Sequence, residues 1–436
     1  MRLQIQNLGP IKQAEIDLNN RMVVICGPNN TGKTYAAYTM YAIHRAIHRM
    51  EIDPSWIQEW DKTLTETLNL EVDLVHWWQQ NGQAILDSLA KGLISILPEV
   101  FASDSSVFEK TEFRFLLSKE EIVEGFSYRW EFRRTSHYLM TDIKMGSLAI
   151  SIELKESDPP ETSVKDLTLL VRRILELLNF DNSAIFPTER CAIDLFSTDV
   201  LLNRSEWLDQ ALTNGIKDGP KPRAYPLPVQ QSLRLVESLV KGKEDSKYAD
   251  LAKEIEFAVL QGSIEVDEHN NLQYLPVNAN NPLRIHLTGS VVKSLYSMVL
   301  YLRYKAAYGD LVVIDEPEMN LHPNMQLALT RILAKAANRG LRIVMTTHSD
   351  FILREMNNLI MLYPENEKSQ ALIDRHGFDR DATLDPENVG VYLFQDNTGE
   401  QLLVTETGFE VSSIDEAITR QTAISEDIYF ELFESN

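Results

Sequence analysis

Residues 22–34 constrain this chain more than any other stretch. Met22-Val23-Val24-Ile25-Cys26 is an unbroken apolar run, the pattern of a parallel strand buried on both faces. It passes directly into Gly27-Pro28-Asn29-Asn30-Thr31-Gly32-Lys33-Thr34, a GxxxxGK[ST] loop, and then into a predicted helix from about Lys33 to Arg49 that holds no Gly or Pro. A phosphate chain needs backbone N–H donors converging on it, so side chains must stay clear and some residues must reach positive φ. Gly27 and Gly32 do this freely, and Asn29 and Asn30 tolerate it. The helix N-terminus adds the positive end of its dipole. Lys33 supplies a point charge for the β and γ phosphates of ATP, and Thr34 a hydroxyl for Mg²⁺.

A second motif complements the first. Leu311-Val312-Val313-Ile314 reads as a buried strand with Asp315 at its carboxyl end, where open α/β sheets bind ligands. Asp315 is placed to hold Mg²⁺, and Glu316 to polarise an attacking water. From Lys33 to Asp315 is 315 − 33 = 282 residues, far more than ordinary AAA-type motors or small GTPases place between these motifs. The spacing requires a split head with a large insertion. Leu287 to Leu295 reads as a small-residue turn opening a helix, and Thr346-Thr347-His348-Ser349 follows a third apolar strand.

The division expected from these motifs has five parts. Residues 1–50 form the first part of the head and 51–155 a helical and β insertion. Residues 156–282 form a helical lobe, 283–365 the second part of the head, and 366–436 a small α/β extension. The fold class is α/β, a mixed sheet flanked by helices. Asp and Glu number 64 against 42 Lys and Arg, a net charge of −22, which opposes non-specific coating of nucleic acid. Two distant cysteines, no signal-peptide core and no run of about 18 apolar residues point to a cytoplasmic protein without a membrane span.

Taken together, these motifs resemble the ABC ATPase heads of the RecF, structural-maintenance-of-chromosomes and OLD group, over residues 1–50 and about 184–365. The resemblance implies a head-to-tail homodimer or higher homo-oligomer with ATP between the heads. It assigns Gly289, Ser290 and Lys293 to a signature segment that completes the other subunit's ATP site, and His348 to a switch position near the γ-phosphate. Phe186-Pro187-Thr188-Glu189-Arg190 stands where the Q-loop belongs, so Glu189 is the residue expected to reach the metal. The LSGGQ signature and the glutamine of the Q-loop are both replaced here. The Pro-Thr-Glu-Arg segment, Ser290 to Leu295 and Asp315 to Pro323 also look like ATPase subunits of PARIS-type and Septu-type anti-phage systems. That likeness implies an ATP-dependent sensor or scaffold controlling a separate effector nuclease, Toprim-like or HNH, with a phage protein or DNA as trigger. The alternative implied is a RecF-like DNA-binding repair protein. The 73 residues after Tyr363 hold no acidic set for a two-metal nuclease (436 − 363).

Other residues read more plainly. His44 and His48 share a helix face, but Arg45 stands where HExxH has Glu, so they read as a packed or solvated face. Cys26 reads as a core residue, and Trp56, Trp60, Trp77 and Trp78 as core packing. His322 either meets a dimer partner or starts a helix. Arg133-Arg134, Arg172-Arg173 and Lys221-Pro222-Arg223 read as solvated basic spots.

Overall fold

The computed structural model describes residues 1–58, 60, 62–63, 69–118, 121, 131–133, 140–142, 149–153, 171–172, 182–191, 225–239, 244–267 and 271–434. Its strands are β1 (Arg2–Leu8), β2 (Ile11–Asp17), β3 (Met22–Cys26), β4 (Asn69–Asp73), β5 (Glu112–Leu116), β6 (Glu131–Arg133), β7 (Met140–Asp142) and β8 (Ala149–Glu153). They continue with β9 (Ser183–Phe186), β10 (Gly262–Val266), β11 (Leu272–Pro276), β12 (Leu283–Arg284), β13 (Leu311–Asp315), β14 (Arg342–Thr346), β15 (Val389–Gln395) and β16 (Thr398–Leu402). The helices are α1 (Lys33–Arg49), α2 (Leu74–Val100), α3 (Leu227–Leu239), α4 (Ala249–Ile255) and α5 (Ser290–Tyr304), then α6 (Pro323–Asn338), α7 (Asp350–Met361), α8 (Glu367–His376) and α9 (Ser412–Tyr429).

One mixed sheet organises the molecule, in the order β5-β1-β2-β16-β15-β3-β14-β13-β9. From β15 to β9 the neighbours run parallel. The reason lies in composition: β3 and β13 are buried at every position, so each needs cover on both faces. Alternate side chains supply two separate cores. Val23, Ile25, Val313 and Val344 join α1 and α2 on one face. Met22, Val24, Val312, Ile314, Ile343 and Met345 join α4, α5, α6 and α7 on the other.

Two segments enter this sheet from outside the expected head boundaries. Within 51–155, α2 packs against α1 and β5 pairs antiparallel with β1, whereas β4, β8, β7 and β6 form a separate four-stranded sheet. The tail contributes β15 to the middle of the main sheet, parallel to β3 and paired with it over Val389–Leu393. Its sequence, VGVYLFQ, is nearly all buried, which a strand covered on both faces requires. A second small sheet has the order β10-β11-β12, with β10 and β11 antiparallel. Trp56, Trp60, Trp77 and Trp78 are buried in the α1–α2 core, as read from sequence. The Lys221-Pro222-Arg223 spot lies outside the described residues, as do Arg134 and Arg173 of the other two basic spots. Among the described residues, no helix is long and apolar enough to cross a membrane.

Candidate functional site

The parallel register brings three strand ends together. Asp315 on β13 stands opposite Thr346 on β14, and Thr346 opposite Ile25, one residue before the end of β3. Loops leave all three strands at their carboxyl ends, and there the phosphate loop forms. Gly27 has φ 125°, Asn30 φ 62° and Gly32 φ 103°, the positive-φ backbone that a loop presenting its N–H groups to an anion requires, just ahead of α1. Two of these positions admit no side chain. A Cβ on Gly27 would lie 2.2 Å from the Phe394 carbonyl oxygen of β15, and one on Gly32 2.4 Å from Ile11. Thr31 Oγ1 and Lys33 Nζ donate to the Pro28 carbonyl at 2.9 and 2.7 Å. Burial pulls the Lys33 pKa down, and the charges of Glu316 and Asp315 pull against it.

Across the loop lies the acidic motif. Thr34 Oγ1 donates to Asp315 Oδ1 at 3.4 Å, although the two residues are 281 positions apart. The Thr346 hydroxyl donates to the same oxygen and accepts from the Glu316 N–H at 3.1 Å. Asp315 has no exposed surface, and its Oδ2 is a buried atom without a hydrogen-bond partner among the described residues. Burial raises the Asp315 pKa, hydroxyl bonds from Thr346 and Thr34 oppose that, and the nearby Glu316 and Glu189 charges add to it. An anionic oxygen shut away from water beside a threonine hydroxyl suits a hard divalent cation. Among the described residues no three His, Cys, Asp or Glu side chains form a metal cluster by themselves. Mg²⁺ does not need one, because it keeps several waters and takes phosphate oxygens with one or two protein ligands.

Glu316 adopts φ 50°, a left-handed conformation uncommon outside glycine. Its carboxylate and the His348 imidazole are half-exposed, with Nε2 3.7 Å from Oε1. Burial and then the Lys33 charge lower the His348 pKa, and Glu316 pushes it back, so the ring is neutral at pH 7. Beneath this pair, buried Glu318 accepts from Thr347 Oγ1 at 2.8 Å and from the His348 N–H at 2.7 Å, fixing the loop that carries the histidine.

The structure thus brings the loop Gly27, Pro28, Asn29, Asn30, Thr31, Gly32, Lys33, Thr34 up against Asp315, Glu316 and His348. Glu189 is exposed beyond β9, near enough for its charge to act on Asp315. Gly289 and Ser290 sit apart, exposed at the start of α5, with Lys293 half-buried one turn on. Among the described residues no hydrogen bond joins the Ser290 or Lys293 side chain to the phosphate loop. His322 starts α6, accepting from the Asn324 N–H at 3.4 Å, the second of its two readings. His44 and His48 pack edge to face at 5.0 Å, and Cys26 is buried, its thiol pushed up to about 12.

Sequence reasoning passed over Arg190, Thr346 and Glu318. Each lay within two positions of a residue it did select, but only the fold shows that Arg190 and Thr346 are buried against the site and that Glu318 is bonded to the loop of the histidine.

Comparison with known proteins adds a family. The model of a family described as "AAA domain, putative AbiEii toxin, Type IV TA system" matches residues 93–354, more than half of the chain. The chain belongs to this family. A second AAA-domain model matches residues 2–36, the part that carries the phosphate loop. The two matches span both motifs of a P-loop ATPase domain of the AAA type. No curated protein matches. Solved structures similar to this AAA-family chain include an SMC head bound to the C-terminal winged-helix domain of ScpA, at 9% identity, 92% of this chain, 96% of that chain and TM-score 0.33. An SMC head with extended coiled coil from Pyrococcus furiosus, bound to the C-terminal domain of ScpA, matches at 8% identity, 97% and 98% coverage and TM-score 0.34. The SMC head domain from Thermotoga maritima matches at 10% identity, 93% and 98% coverage and TM-score 0.32.

Proposed function

We propose that this chain is a Mg²⁺-dependent ATPase that pairs with a second copy of itself and governs a separate effector nuclease in cytoplasmic anti-phage defence. The observation that carries the ATPase reading is the meeting of Thr34 and Asp315 across 281 positions. In this reading the loop amides and Lys33 hold the β and γ phosphates, Lys33 leaving the Pro28 carbonyl to do so. Thr34 and Asp315 hold Mg²⁺, with Glu189 near enough to join through water. The cation supplies charge neutralisation to the phosphate oxygens. Glu316 takes a proton from water as its oxygen attacks the γ-phosphorus and the bond to the ADP oxygen breaks. Neutral His348, beside Glu316, donates a hydrogen bond toward the terminal phosphate. Gly289, Ser290 and Lys293 serve the partner's nucleotide, which accords with their exposure and their separation from their own loop.

The defence role draws on two other observations. The family's description includes the words "putative AbiEii toxin, Type IV TA system". The charge of −22 favours a protein partner over a nucleic-acid track.

The test has two stages. Lys33→Ala should abolish ATP binding in calorimetry. Glu316→Gln should keep binding, slow hydrolysis about 10²-fold or more and accumulate paired chains in sedimentation. Normal turnover in the second variant removes Glu316 from the chemistry. Purification of the trapped variant from its native operon should bring a nuclease with it. Salt-sensitive binding to DNA ends with no co-purifying protein would favour the repair reading.

A further inference from the structure

Arg190 is almost fully buried, and among the described residues no carboxylate bonds it. Its guanidinium spends its donors on main-chain carbonyls from three elements. Nε donates to Ser294 of α5 at 2.9 Å. Nη1 donates to Pro187, just past β9, at 3.0 Å and to Asp315 at 2.7 Å. Nη2 donates to Glu316 at 2.7 Å. Burial lowers the Arg190 pKa, and the nearby acidic groups, Asp315, Glu318 and Glu316 among them, pull against it without bonding the guanidinium, so the buried charge is compensated only in part. A hydrophobic staple would hold these elements together without that cost. What a planar fork adds is direction: it fixes carbonyls at set angles, and two of these belong to the peptide units that flank Glu316.

Glu316 needs such a constraint. Its φ of 50° is a strained conformation that persists only where the surroundings over-determine it. The Thr346 hydroxyl holds its N–H, and Arg190 holds its carbonyl. The same guanidinium grips α5 one turn inside its exposed beginning at Gly289 and Ser290.

We propose that Arg190 is a positioning residue for hydrolysis, which holds the Glu316 peptide in its left-handed conformation and couples it to the start of α5. The inference rests on Glu316 acting as the base. Displacing the outer end of α5 then changes the rate of phosphate release from ATP, while the affinity of the phosphate loop stays as it was. Lysine, a point donor, cannot span three elements, so retaining the charge does not retain the function.

The experiment uses the full chain with Arg190→Met and Arg190→Lys. ATP affinity is read by calorimetry and hydrolysis by single-turnover measurement at saturating ATP. Both variants should bind ATP within about threefold of the parent and hydrolyse it about 10- to 100-fold more slowly. Parental turnover in either variant overturns the proposal, as does a loss of affinity that equals the loss of rate. If neither variant folds, hydrogen exchange on the parent decides. On adding ATP, amides of 290–295 and 314–318 should change protection together, and a change confined to one segment overturns the coupling. Failure of the parent to bind ATP, or normal turnover by Glu316→Gln, sinks the underlying ATPase reading instead. Slow Glu316→Gln beside normal Arg190→Met sinks only Arg190.

Discussion

A carboxylate without exposed surface destabilises a protein unless something compensates it, and Asp315 is compensated on one oxygen only. Its raised pKa means that the folded chain holds this proton more tightly than the unfolded chain does. Between the ordinary carboxylate pKa and the raised folded value the unfolded state therefore binds fewer protons, so stability of the metal-free protein falls as pH rises through that window. Buried Glu318, raised chiefly by burial, acts in the same sense. Asp315→Asn should accordingly raise the metal-free melting temperature above the window, by about 1–3 kcal/mol of stability, and flatten its pH dependence. The same change should end Mg²⁺-dependent hydrolysis. Scanning calorimetry of the metal-free protein upward from about pH 4, the ordinary carboxylate range, checks both the sign and the slope. Gly27 works oppositely, through what it lacks. Gly27→Ala puts a methyl group against the Phe394 carbonyl at an unfavourable φ, and should cost about 1–3 kcal/mol from backbone strain alone. Urea unfolding measures it, with ATP affinity lost in parallel.

At the scale of elements, the strands around the site were legible because each is a short apolar run ending in a chemical motif. Met22–Cys26 and Leu311–Asp315 carry their own burial pattern, and the glycines of the loop announce their turn. Helix α1 begins at Lys33 and ends at Arg49, as its uninterrupted sequence indicates. What sequence could not supply was partnership. Nothing in EFRFL says that β5 will lengthen the main sheet beside β1, and VGVYLFQ reads equally well as an edge or a centre. Arg190 posed the same difficulty, since a lone arginine is ordinarily a surface residue until the carbonyls around it are known. The α1–α2 contact adds a prediction at this scale. Tyr35 stacks on Phe101 with ring centroids 4.6 Å apart, just two residues into the helix that starts at Lys33. Phe101→Ala should cost about 2–4 kcal/mol and loosen the phosphate loop's helix. A lowered melting temperature with weakened nucleotide affinity is the expected pair of readings.

For the whole molecule, the sheet order sets the terms. β3 lies between β14 and β15, so the strand that feeds the phosphate loop has one neighbour from residues 342–346 and another from 389–395. Cys26 and Tyr392, in contact across that pairing, are 366 positions apart. A chain ending at residue 388 would leave β3 an open, wholly apolar edge. Such a truncation should bind no nucleotide and should aggregate, which light scattering and nucleotide binding would both register.

Gly27 rests on the carbonyl of Phe394, so the cradle's floor comes from a segment 367 positions further along the chain (394 − 27). During synthesis the loop is therefore written long before the strand that supports it. Until β15 has been translated and has docked beside β3, the loop has no floor to close against.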